Sequence, residues 1–237
     1  WRVSQALNNA MKDYDDPRLP LMTKPAVGGT MTITKPTTGE NVALIGAHIA
    51  FVKSTLDAAG LVQDQDYTWT ETATDLTITM PENTNYIGMP SRISPKLKGY
   101  MPGTMFSEPA DIITQVRNDE GKEQFPEVVM ASADSHFMIA EAIVKGLASG
   151  DANTYYQLGL EKAMAVWGTA PSADFLSSDM GSLSGTMEEK LEKIATQRWL
   201  VNYTNGYESW AIVRDTGYPT AAVITSDDND IISFAGD

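Results

Sequence analysis

The sequence predicts a mainly α chain: a tetratricopeptide-like helical hairpin scaffold in the second half, and a loop-rich region with a few short strands in the first. Three observations carry this. Apolar residues recur at helical spacing from about residue 132 to residue 214. Two threonine-rich runs near 31–35 and 76–80 alternate at period two, and Pro, Gly, Asn and Ser crowd residues 81–126. The helix pair 134–167 has the length of about 34 residues that defines a tetratricopeptide hairpin, with small residues where the helices would cross.

In chain order, Ser4 to Met11 reads as a helix ended by Asp15-Asp16-Pro17, because the residue before a proline is pushed out of the α region. Met31–Lys35 and Leu76–Met80 read as strands able to pair with each other. Between them, Asn41 to Ala59 reads as a helix closed by Gly60. Tyr67-Thr68-Trp69 reads as a third short strand, and Pro81 to Pro126 as long loops of the kind that carry function or wrap a neighbouring surface. Ser132 or Asp134 is expected to cap a helix to about Leu147, with Phe137, Ala140, Ile143, Val144 and Leu147 on one face. Asp151 caps the next helix, which runs to Trp167 and stops at Gly168. Thr186-Met187-Glu188-Glu189 forms a capping box, in which the threonine and second glutamate satisfy each other's free backbone donors. That helix extends to about Tyr203, and a short one follows over Glu208 to Arg214. The expected organisation is a loop-rich region over 1–130, a helical scaffold over 131–220 and an acidic tail over 221–237.

Seventeen basic against 31 acidic residues give a net charge of −14, which repels a phosphate backbone and an anionic lipid surface. Nucleic acid is therefore not expected as a partner. With no cysteine, disulfides, thiolate zinc sites and cysteine nucleophiles are excluded. The longest apolar stretch, Val42 to Val52, is far below the ~20 residues of a spanning helix. The chain opens on Trp1 with no signal-like segment and reads as a processed chain or a piece of something longer. A single hairpin cannot bury its faces, since about three repeats are needed for stability. Either other helices pack against it, or more repeats lie upstream.

Motifs for chemistry fail on inspection. His48 and His136 lie far apart without a third ligand, so no metal site is expected. Asp227-Asp228-Asn229-Asp230 has clustered oxygens but lacks the turn glycine and closing glutamate of a calcium loop, and reads as a solvated tail. Gly181-Ser182-Leu183-Ser184-Gly185 places leucine where a nucleophile elbow needs serine. Gly121-Lys122-Glu123 lacks the hydroxyl that follows lysine in a phosphate-binding loop. No catalytic residue and no cofactor is expected.

Several motifs resemble those of one family. Glu188-Glu189-Lys190 through Ile194-Ala195-Thr196-Gln197-Arg198-Trp199, then Asn205-Gly206-Tyr207-Glu208-Ser209-Trp210 and Arg214-Asp215-Thr216-Gly217-Tyr218-Pro219, resemble the C-terminal signature of the SusD/RagB-like nutrient-binding lipoproteins of the Bacteroidetes outer membrane. Asp16-Pro17-Arg18-Leu19-Pro20 and Tyr86-Ile87-Gly88-Met89-Pro90 resemble two further elements, and the 137–168 helix pair resembles the family's last tetratricopeptide hairpin. The resemblance covers residues 13–20 and 84–220. It implies the C-terminal half of a longer protein, anchored through a lipidated N-terminal cysteine absent from this chain. It also implies non-catalytic capture of glycans, or of peptides, at the cell surface and their delivery to a TonB-dependent outer-membrane transporter.

Glycan capture needs flat aromatic faces edged by polar groups. Tyr67, Trp69 and Glu71 alternate, so on a strand they share one side and form either a sugar platform or part of a small buried sheet. Tyr86, Tyr100 and Phe106 are either binding residues or loop anchors. Trp167, Trp199 and Trp210, with Arg198 and Arg214, read as an aromatic and guanidinium joint that fixes helix packing, and Tyr218 belongs to the same signature. Two other classes stay open: a glycoside hydrolase on a helical frame, and a helical protein-interaction module without a small ligand.

Overall fold

Threonine alternating with apolar residues builds a small sheet in the computed structural model, which describes residues 1–39, 41–90, 102–114, 125–126 and 128–223. Strand β2 (Gly29–Thr34) pairs antiparallel with β4 (Asp75–Met80), and β3 (Thr68–Glu71) pairs with β4's other edge, giving the order β2-β4-β3. The two expected strands thus pair with each other, as their matching patterns suggest. Register places Thr30, Thr79 and Thr68 in one row and Thr32, Thr77 and Thr70 in the next. Their neighbours Met31, Ile33, Leu76 and Ile78 point the other way, into a core with Val52, Leu56 and Ala59. Val52 and Leu56 lie on α3 (Asn41–Ala58), and Ala59 follows its end. A two-residue pair, β1 (Thr23–Lys24) with β5 (Glu108–Pro109), completes the strands among the described residues of this compact unit, which comprises Trp1–Asn9 and Thr23–Pro109.

The second unit, Ala10–Met22 with Ala110–Ile224, is helical. Its N-terminal part holds the end of α1 (Gln5–Lys12) and the single turn α2 (Leu19–Met22). A second single turn, α4 (Asp111–Thr114), follows the strands. The main elements are α5 (Ser132–Val144), α6 (Ala152–Ala165), α7 (Ala173–Ser177), α8 (Met187–Val201) and α9 (Gly206–Thr216). Residues 10–22, placed in the loop-rich region by sequence, therefore group with the helices, and residues 224–237 of the expected acidic tail lie outside the described residues.

The hairpin α5–α6 closes over one position. A Cβ on Gly159 would stand 2.5 Å from the Phe137 ring, so only glycine lets the two helices approach this closely. Around that point Phe137, Ala140, Tyr156, Leu160, Ala163, Met164, Phe175 and Ile194 form the core. The Tyr156 hydroxyl donates to the Met180 carbonyl at 2.8 Å. Burial pushes that phenol's pKa far above its ordinary value, with the nearby Arg18 charge working against the shift.

Helix ends follow local chemistry with one correction. Asp151 accepts from the Asn153 and Thr154 amides, and the Thr186–Glu189 capping box forms as expected. At α5, however, neither Ser132 nor Asp134 is the cap. The N-cap is Ala131, with no side-chain hydrogen bond, because the helix starts one residue earlier and the Asp134 carboxylate is taken by Arg198 Nε at 2.7 Å. The same helix ends at Val144, and Leu147 beyond it is exposed.

Candidate functional site

Each motif in the sequence has a physical task. In Asp16-Pro17-Arg18, the Arg18 guanidinium is fully buried and grips the Asp16 carboxylate through Nε and Nη2. Nη2 also donates to Gln197 Oε1, the glutamine of the α8 signature, at 2.7 Å. Gly88 of Tyr86–Pro90 lies against the first residues of the chain. A Cβ there would stand 2.4 Å from the Gln5 Cα, and Gln5 N donates to Met89 O at 2.8 Å. These elements are joints between distant stretches of chain.

Among the candidate ligand residues of the first unit, Tyr67 is 2% exposed and belongs to the core, with the Trp69 ring edge-on to it at 6.4 Å. Trp69 sits opposite Ile78 and Glu71 opposite Leu76, so both lie on the core-facing side of the edge strand β3. Trp69 is half-buried, while Glu71 is exposed and accepts from Lys35 Nζ at 2.7 Å. Tyr86 is half-buried, and burial pushes its phenol pKa up. Phe106 is buried in the core, and Tyr100 lies outside the described residues.

In the helical unit, Trp167 stacks on Phe125 at 4.2 Å and tilts toward Tyr203 at 6.5 Å. The Tyr203 phenol is pushed up to about 12 by burial. Trp199 is half-buried. Arg198 bridges α5 and α8 through Asp134 and Glu141. Trp210 and Arg214 differ from the expected packing joint. Trp210 is 64% exposed, because the inward position on α9 is filled by Ile212, two residues on and so on the opposite side of the helix. The Arg214 guanidinium instead lies over the outward Trp210 ring at 5.6 Å.

Sequence reading missed a cleft of about 180 Å³ between α5, α8 and the end of α9. Leu191 and Ala195 contribute apolar surface, Glu141 and Lys145 come from α5, Glu188 from α8, and Asp215, Thr216 and Tyr218 from the end of α9 and the turn after it. The Tyr218 hydroxyl donates to Glu188 Oε1, which pushes the phenol up to about 12. Lys145 Nζ donates to Glu141 Oε1 at 2.5 Å. The spacing of Glu188, Leu191 and Ala195 at i, i+3 and i+7 was the available signal, since it lays all three along one helix face. Among the described residues no group of three or more His, Cys, Asp or Glu side chains is arranged to hold a metal ion. No helix among them is long and apolar enough to cross a membrane.

Solved structures share this fold. A SusD homologue from Bacteroides fragilis superposes with a TM-score of 0.59 at 22% identity, over 98% of this chain and 47% of that one. A chitin-binding protein matches with a TM-score of 0.59 at 18% identity, over 98% of this chain and 40% of its own. A Bacteroidetes SusD-like protein matches with a TM-score of 0.56 at 17% identity, over 96% and 45% respectively. At these identities the likeness is one of fold, and the chain spans less than half the length of each. No curated protein matches. The model of the SusD-like family described as "Starch-binding associating with outer membrane" matches residues 65–233, and the chain belongs to that family.

Proposed function

We propose that this chain is part of a non-catalytic surface protein that captures glycan, or peptide, nutrients at the bacterial outer membrane and passes them to a TonB-dependent transporter. The observation that carries the reading is the family match over residues 65–233, whose description is starch binding in association with the outer membrane. The fold-level likeness to a chitin-binding protein supports a carbohydrate ligand. In this reading the protein is held at the membrane by a lipid anchor outside this chain.

The proposed ligand surface lies in the first unit. Trp69 offers the stacking ring, Tyr67 backs it edge-on, and Glu71 supplies acceptors for sugar hydroxyls. Tyr86 and Tyr100 are proposed as further contacts. Calorimetric titration against a panel of oligosaccharides and peptides tests the reading, with chromatography of each ligand after overnight incubation. Saturable binding with the ligand recovered intact supports it. Cleavage of the ligand, or no binding across the panel, overturns it. Trp69→Ala is expected to weaken binding at least ten-fold with the circular dichroism spectrum retained, and an unchanged affinity removes Trp69 from the site.

A further inference from the structure

We infer that the cleft between α5, α8 and the end of α9 is a second ligand site, one that accepts a single sugar ring carrying a protonated amine. That the ligand is a sugar rests on the function proposed above; the size and charge arguments come from the cleft itself. Its volume of about 180 Å³ lies below the range of about 300–1,000 Å³ typical of sites for larger organic ligands. One ring fits, and an oligosaccharide does not.

The lining divides by chemistry. Leu191, Ala195 and the Tyr218 ring give apolar surface for one face of a sugar. Glu141, Glu188 and Asp215 bring three carboxylates against one ammonium, Lys145. That ammonium is already committed to Glu141, as is the Arg198 guanidinium at 3.4 Å. Among the described residues, Glu188 accepts from the Tyr218 hydroxyl alone, and none donates to the Asp215 carboxylate. Among the described residues, Glu188 and Asp215 thus line the cleft with no ion-pair partner, and the lining as a whole is net negative. Concave walls of one sign concentrate ions of the other and reject their own. A ligand ammonium between Glu188 and Asp215 makes charge-assisted hydrogen bonds, while an acidic sugar is repelled.

Calorimetric titration of the 237-residue chain with glucosamine, N-acetylglucosamine and glucose tests this. Glucosamine is expected to bind saturably at one site, at least ten-fold tighter than the other two, which lack the charge. Asp215→Asn is expected to weaken glucosamine at least ten-fold. Lys145→Met removes the cation among the described lining residues and is expected to tighten glucosamine several-fold, a gain that a damaged fold does not produce. Equal affinity for the three sugars, no glucosamine binding at millimolar concentration, or indifference to both substitutions overturns the inference. If oligosaccharides bind and glucosamine does not, the cleft inference fails while the proposed function stands. If glucosamine binds with this pattern and no oligosaccharide does, the cleft stands and the proposed function fails.

Discussion

Arg18 and Gln197, 179 residues apart in the chain, share a hydrogen bond of 2.7 Å in which the guanidinium Nη2 donates to the amide Oε1. Both side chains are fully buried, and the charge is balanced within the same segment by Asp16. The pair fastens the stretch before β1 to the signature helix α8. Asp16→Ala leaves the guanidinium buried without its counter-ion, a change that costs about 3–5 kcal/mol. The urea midpoint of the helical unit, followed by circular dichroism at 222 nm, should fall accordingly. A loss below about 1 kcal/mol, the range of an exposed ion pair, would contradict this account.

Gly159 presents a second test. Alanine is the better helix former by about 1 kcal/mol, yet its methyl group meets the Phe137 ring at 2.5 Å. Overpacking of this kind costs about 1–3 kcal/mol, so Gly159→Ala is expected to lower the melting temperature. Phe137→Leu in the same chain should recover part of that loss, which shows whether the collision is with the ring.

On α9 two neighbours should respond in opposite ways. Ile212 is 3% exposed, and its replacement by alanine is expected to cost about 2–5 kcal/mol. Trp210, though much larger, is mostly in solvent, so Trp210→Ala should change stability by no more than about 0.5 kcal/mol. Chemical unfolding of the two variants side by side settles the ranking.

Stability of the first unit should decline in mild acid. His48 on α3 is buried, and desolvation lowers its pKa from the ordinary 6.5. The unfolded chain therefore takes up a proton at higher pH than the folded one. The contribution is intact above pH 6.5 and is lost as the pH falls below it. Urea midpoints at pH 7.5 and 5.5 should differ in the parent chain, and the difference should shrink in His48→Gln.

Elements whose cause is local could be read from the sequence. Asp151 as a cap, the Thr186–Glu189 box and the pairing of the two threonine-rich strands each depend on residues a few positions apart, or on two matching alternations. Asp134 could not be read in this way, because the choice between capping a helix and holding Arg198 depends on a residue 64 positions further on. Trp210 misled for a related reason: a helix of eleven residues has two apolar sides on paper, and only its packing partner decides that Ile212 goes inward. The cleft is assembled from three segments. Its α8 spacing was visible, but the turn that brings Tyr218 to Glu188 was not.

The chain leaves the helical unit at Met22 and re-enters it at Ala110, which bears on how it is made. On the ribosome the buried arginine emerges well before the glutamine that completes its joint, which follows 179 residues later. The strand unit between them can form first, and the nascent helical unit stays open until α8 arrives. Such a late, long-range closure slows folding and leaves apolar helix faces uncovered in the interval, the state in which a growing polypeptide depends most on chaperones.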